Sequence, residues 1–276
     1  MSLAMITWAI AWTNAKIVNE YLSYYNLIFL RFLLGFISIL PFVIVLKKPF
    51  PKLSEYKYIL GPSLLFLIYN IAFFKGTDYG LAGKGAILVT TLNPLFTVLI
   101  MSILYNKISK KEIVGVVLGI IGGYIIMDLY NVGFKSILEP GNIYFIICAI
   151  SWGIMSVLIN FAQKIINPFS FICICYLITM VFTFPFISIT EIISTEYDFK
   201  FFINFFFVSM GAMSFGTSVY MYYTPILGPS KASIFIFSVP FLAISMANFF
   251  LNEPFTLNVV IGGILSLLAI YIVNKK

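Results

Sequence analysis

Apolar runs of 17 to 24 residues, separated by short clusters of charge, proline and glycine, divide this chain from end to end. The runs cover 1–19, 25–46, 57–76, 81–104, 112–128, 142–164, 168–190, 201–223, 229–251 and 255–273. Each is close to the roughly 20 residues that carry a helix across a bilayer. Gly80 and Gly83 punctuate one gap, Gly228-Pro229 another and Glu253-Pro254 a third, as residues that stop helices and turn the chain. The opening residues through Trp8 lack a basic leader and a small-residue cleavage site, so they read as the start of the first span. The pattern predicts an all-α membrane protein with ten transmembrane helices.

Charge sorts onto alternate gaps. With the N-terminus inside, the inner gaps and tail hold Lys47, Lys48, Lys52, Lys57, Lys107, Lys110, Lys111, Lys164, Lys231, Lys275 and Lys276, against Glu55 and Glu112. The outer gaps hold Lys75, Lys84, Lys135 and Lys200, with Glu20, Asp78, Asp128, Glu139, Glu191, Glu196, Asp198 and Glu253. Eleven lysines against four predict both termini on the cytoplasmic side of the plasma membrane. The net charge of +7 thus reads as orientation in lipid and not as a nucleic-acid surface. At 61% hydrophobic and 10% charged, the chain is too apolar to hide its side chains inside a globule of this size. Cys148, Cys173 and Cys175 lie inside apolar runs, which suits small buried residues better than disulfides or metal ligands.

The chain also repeats itself. A shift of 144 places Trp8 on Trp152 and Pro41 on Pro185. A shift of 146 places Gly83-Lys84-Gly85-Ala86 on Pro229-Ser230-Lys231-Ala232, Asn93-Pro94-Leu95-Phe96 on Val239-Pro240-Phe241-Leu242, and Asn106 on Asn252. Residues 1–128 and 142–274 are therefore expected to be two versions of one five-helix unit. Five is odd, so the second copy enters the membrane from the opposite face, the inverted arrangement of many alternating-access carriers.

These residues resemble the EamA type of the drug/metabolite transporter superfamily along nearly the whole chain. Trp8, Asn14 and Lys16 are similar to its first-helix motif, and Trp152-Gly153 repeats the start of it. Ala82 to Ile87, running into Leu92 to Phe96, resembles the fourth-helix signature. Ser230 to Ser233, Pro240 and Leu251-Asn252-Glu253-Pro254 are its partner, with Asn252 where the family has Gly. Lys107 stands where the family often has Glu, so no role is carried to that position. The resemblance implies a solute carrier with a central cavity, often an exporter of amino acids or related metabolites, and does not select a substrate.

Two cations lie inside apolar runs, Lys16 and Arg31. Buried charge in a span faces a cavity or a partner. Both could receive an anionic group near the outer side; equally, they could snorkel to headgroups or pair with Glu20. Their repeat equivalents, Asn160 and Cys175, are uncharged. Asn14, Tyr69, Asn70, Asn93, Trp152, Ser156, Tyr176, Ser214, Tyr220 and Ser238 also need partners within lipid, from a neighbouring helix or from a solute. Trp12, Trp152 and Tyr220 suit an apolar wall. Pro94 and Pro240 each remove a backbone donor, so helix breaks at matching places are expected beside Asn93 and Ser238. Gly115, Gly119 and Gly123 form a smooth stripe for a close helix neighbour, in the same chain or in a homodimer.

The expected function is secondary transport of a small-molecule solute, with lipid as the other partner and no cofactor. A passive channel is the alternative. With no histidine, the usual bases and metal ligands of an intramembrane enzyme are missing, and no phosphate-binding glycine loop is present. Cysteines introduced as Lys52→Cys and Lys275→Cys should react with an impermeant thiol reagent from the same face of the membrane; reaction from opposite faces would refute the topology.

Overall fold

The computed structural model describes residues 1–105, 109–133, 135, 137, 139–252 and 256–274. Asn106, Lys107, the Glu253-Pro254 pair, Lys275 and Lys276 lie outside these residues, as does the side chain of Lys84. The described residues are helical nearly throughout and include no strand. The long elements are α1 (Ser2–Val18), α2 (Tyr24–Val45), α3 (Lys57–Tyr79), α4 (Ala82–Tyr105), α5 (Lys110–Ile126), α6 (Pro140–Ala162), α7 (Pro168–Thr183), α8 (Phe199–Leu227), α9 (Pro229–Phe250) and α10 (Leu257–Asn274). Seven of the apolar segments, those of α2, α3, α4, α6, α7, α8 and α9, are long and apolar enough to cross a membrane. α1 and α5 are 17 residues each, at the short end of that range. Large apolar side chains such as Val45, Ile103 and Phe249 stand more than three-quarters exposed, which is stable only against hydrocarbon.

Local chemistry sets the helix ends. Ser109 and Glu112 form a reciprocal cap at the start of α5. Asn167 caps α7, with Pro168 as its first residue. Asp198 caps α8 by accepting the Phe201 N–H at 2.8 Å, a bond that holds its carboxyl below the usual carboxylate range. Gly228 turns the chain from α8 into α9 at φ +86°. Asn252 follows α9 at φ +55°, in the left-handed region. Asn tolerates that region best after Gly, which accounts for Asn at the motif's glycine position.

The seventh run ends earlier than its hydropathy suggests. Pro185 sits in a tight turn, Phe184–Phe186, and the chain then forms a separate short helix, Ile189–Ser194. The matched breaks expected at Pro94 and Pro240 are also not found as a pair. α4 runs unbroken through Pro94, whereas α9 narrows to a 3-10 turn over Phe235–Ser238, just before Pro240. The larger irregularity is in α8, where Phe207–Thr217 is wound as a π-helix.

Packing is dominated by contacts between the first five helices and the last five. α6 lies against α3 and α4, and α1 against α8 and α9. α2 packs on α7 and α8, α3 on α7, α4 on α9, and α5 on α10. The glycine stripe of α5 is used inside the chain. Gly115 meets Val273, Gly119 meets the Phe237 ring and Gly123 meets Thr91, so the stripe presents no face to a second copy. The three cysteines are buried and not disulfide-bonded.

Gly119→Ala would place a methyl 2.1 to 2.5 Å from the ring of fully buried Phe237. It should lower thermal stability in detergent by about 1–3 kcal/mol. Gly61→Ala, whose Cβ meets only Leu158 Cδ1 at 3.6 Å, should be neutral or slightly stabilising, since Ala is the better helix former by about 1 kcal/mol.

Candidate functional site: a central cavity at Arg31

Between the two sets of helices lies a narrow cavity, with about 40 Å³ open to the centre of a water molecule. That is room for a few waters. Seven helices line it: α1 with Trp8, Ala11 and Trp12, α2 with Arg31, α3 with Tyr69 and Phe73, α4 with Val89, Thr90 and Asn93, α6 with Trp152, α8 with Ala212 and Thr217, and α9 with Ile236 and Val239. All three tryptophans of the chain are in this wall. Trp8 meets Trp152 edge to face at 4.8 Å, Tyr69 meets Trp152 at 4.9 Å, and Trp12 meets Phe73 at 4.8 Å.

Arg31 is 6% exposed, and its guanidinium is held by neutral groups. Nε donates to the Val208 carbonyl at 2.9 Å and Nη1 to Asn70 Oδ1 at 2.7 Å. The faces of Phe73 and Phe74 lie 5.5 and 5.8 Å from its centre. Among the described residues no carboxylate reaches it. Asn70 is turned toward Arg31 because its own amide donates to Phe66 O one turn back, at 2.8 Å. Val208 belongs to the π-helical stretch, and neighbouring carbonyls there also take side-chain donors. Ala212 O accepts from Trp8 Nε1 at 3.0 Å and from Thr217 Oγ1, while Met213 O accepts from Tyr176 Oη. The irregular winding of α8 therefore aims three carbonyls, on Val208, Ala212 and Met213, at helices α1, α2 and α7.

The structure divides the residues selected from the sequence. Trp12, Arg31, Tyr69, Asn93 and Trp152 line the cavity. Asn70 stands one step behind, as a ligand of Arg31. Tyr220 packs against both Trp8 and Trp152, and Ser156 bonds its hydroxyl at 2.9 Å. Tyr176 is a strut, bonded to Met213 O and Ser218 and packed on Gly35. Asn14 bonds Asn204 on α8. Ser238 bonds Phe235 O within the 3-10 turn. Ser214 lies in a different, almost wholly apolar recess of about 410 Å³ between α2, α7 and α8, open toward exposed Phe42 and Phe215. The sequence reading passed over Trp8, Phe73, Thr90 and Thr217 as lining residues. Trp8 had a signal, its match to Trp152, because the two rings touch.

Lys16 and Arg31 are not neighbours in one site. Lys16 donates to Gly80 O at 3.3 Å and lines a separate vestibule of about 550 Å³ that also contains Asp78, Glu139 and Asn142. Glu20, considered as a partner for Lys16 or Arg31, pairs with Lys200 at 2.9 Å. Between the vestibule and the cavity sits Phe145, fully buried, packed on Trp12 and seated among Gly76, Gly80 and Gly85. A Cβ on Gly76 or Gly85 would lie 2.4 Å from its ring, so these positions require glycine.

A helical chain with this surface, enclosing a polar cavity between two sets of helices, is an integral membrane protein of the transporter class. It belongs to the EamA-like transporter family, which matches residues 1–128 and 139–275. It is 25% identical to a protein of Archaeoglobus fulgidus named an uncharacterized transporter, over 100% of this chain and 98% of that one. It is also 25% identical to the Bacillus subtilis uncharacterized transporter YoaV, over 83% and 81% of the two chains. A solved crystal structure shares the fold at a TM-score of 0.71 and 14% identity, covering 99% of this chain and 96% of that one.

Asn70→Ala removes one of the two acceptors of Arg31 and should destabilise the folded protein by about 1.5–3 kcal/mol, the range for bonds to charged groups. Thermal unfolding beside Asn258→Ala, at a half-buried position bonded to Tyr130, measures the difference.

Proposed function

We propose that this chain is a secondary carrier that moves a small metabolite, an amino acid or related solute, across the cytoplasmic membrane by alternating access. Ten spans form two inverted five-helix repeats, 1–128 and 142–274, and both termini face the cytoplasm. Export is the direction that the family resemblance implies. The observation that carries this reading is the position of Arg31, a buried charge facing a cavity walled by helices of both sets.

The packing scheme supports the repeat. Exchanging each of α1 to α5 with its counterpart in α6 to α10 turns the α3–α6 contact into α8–α1, α4–α6 into α9–α1, and α2–α8 into α7–α3, all of which occur. The α2–α7, α4–α9 and α5–α10 contacts map onto themselves. Trp8 and Trp152, equivalent by sequence shift, touch across the cavity, as residues beside a two-fold axis would. The two stretches matched by the family fall on the same division.

The cavity favours a carrier over a channel, since about 40 Å³ is too little for a continuous path and one side must part to admit a solute. On the outer side the parting surface is Phe145 in its glycine socket. No acidic side chain is among the described lining residues, so coupling through a mid-membrane carboxylate has no group to run on. Exchange of one solute for another meets this constraint.

In proteoliposomes a transported solute should show saturable counterflow, which a channel would not. Arg31→Ala should reduce transport of an anionic or zwitterionic solute tenfold or more at unchanged expression. Asn93→Leu should impair it more than Asn258→Leu; equal effects would remove Asn93 from the site.

A further inference from the structure

Resting on that reading of the central cavity as the solute site, and narrowing its substrate from amino acids to the related acids, we infer that the solute is a monocarboxylate with an apolar body and no ammonium group. Arg31 is the one ionised side chain among the described lining residues, and both of its acceptors are neutral, so a full positive charge stays without a counter-charge in a narrow site. Nε and Nη1 each use a donor, and the guanidinium has five, so donors remain for a carboxylate. A single cation balances a single negative charge; a phosphate ester, with nearly twice the charge, would carry its excess into a low dielectric.

The remaining polar groups point the same way. The indole N–H of Trp152 is buried in the cavity wall beside the Tyr220 hydroxyl, a second donor group next to Arg31. The acceptors in the wall are neutral: the amide oxygens of Asn70 and Asn93, which already receive Arg31 and Thr97, and the hydroxyls of Tyr69 and Thr90. An ammonium group would find no carboxylate and would sit near the guanidinium with little screening. The walls contributed by Trp8, Trp12, Trp152 and Phe73 offer flat apolar faces to the rest of the molecule. In this conformation the space holds only water, and the body enters as the Trp8–Trp152 contact opens.

The three tryptophans make the purified protein its own reporter, since a ligand in this cavity changes their fluorescence. Three probes share a phenyl body: 3-phenylpropionate, L-phenylalanine and phenethylamine. Binding of 3-phenylpropionate at least tenfold tighter than the other two is the expected result. Arg31→Gln should remove that preference, and the wild-type comparison stands by itself if the variant does not fold. Equal or tighter binding of phenylalanine or phenethylamine, or no response to 3-phenylpropionate, would overturn the inference. Counterflow of the same probes separates the two claims. Transport of the amino acid or amine in preference to the acid sinks the substrate class and leaves the carrier standing. Binding of the acid without saturable counterflow of any probe sinks the carrier and leaves the class of ligand.

Discussion

A guanidinium in the interior of a membrane protein must be held by something, and here everything that holds Arg31 is neutral. An amide oxygen, a backbone carbonyl and two aromatic faces stabilise it without cancelling its charge. A buried carboxylate would have neutralised the site and left little attraction for a ligand. The choice of partners leaves a positive potential in the cavity, and the helices around it are arranged to supply those partners. α3 brings Asn70 and the two phenylalanines, and α8 brings the Val208 carbonyl.

The direction of that carbonyl goes with how α8 is wound. In a regular helix within lipid each backbone carbonyl is taken by the N–H four residues on. The π-helical register over Phe207–Thr217 disturbs this pattern, and donors from Trp8, Arg31 and Tyr176 occupy the carbonyls of Ala212, Val208 and Met213. One irregular segment thereby ties α1, α2 and α7 to α8. Regular winding there would have to place these three donors elsewhere.

Much of this was legible in the residues. Hydropathy located the long helical segments to within a few positions, the end of the seventh excepted, because lipid demands long apolar helices. Arg31 stood out as a charge in an apolar run, and Trp8 and Trp152 as counterparts that prove to be in contact. The failures have physical causes. Pro94 was expected to break α4, but a proline removes one donor and its effect depends on neighbours. The π-helical stretch leaves no mark, since Phe207 to Thr217 reads like any other apolar run. Lys16 and Arg31 looked alike as intramembrane cations, and only the packing shows that they face different spaces. Ser156, Tyr176 and Tyr220 needed partners, and they found them in one another and in backbone carbonyls.

The socket of Phe145 is built from two helices joined by a very short link. Two of its glycines, Gly76 and Gly80, flank the end of α3, and the third, Gly85, is in the first turn of α4, with only Gly80 and Leu81 linking the helices. The ring cannot slide partway out of a notch cut to its own thickness, because any intermediate seat would leave both an unfilled gap and a steric collision. The notch therefore sets a strict shape rule at this point of the wall: it is filled by one flat ring at position 145, and neither a larger side chain there nor a methyl on its glycines fits without displacing a neighbour.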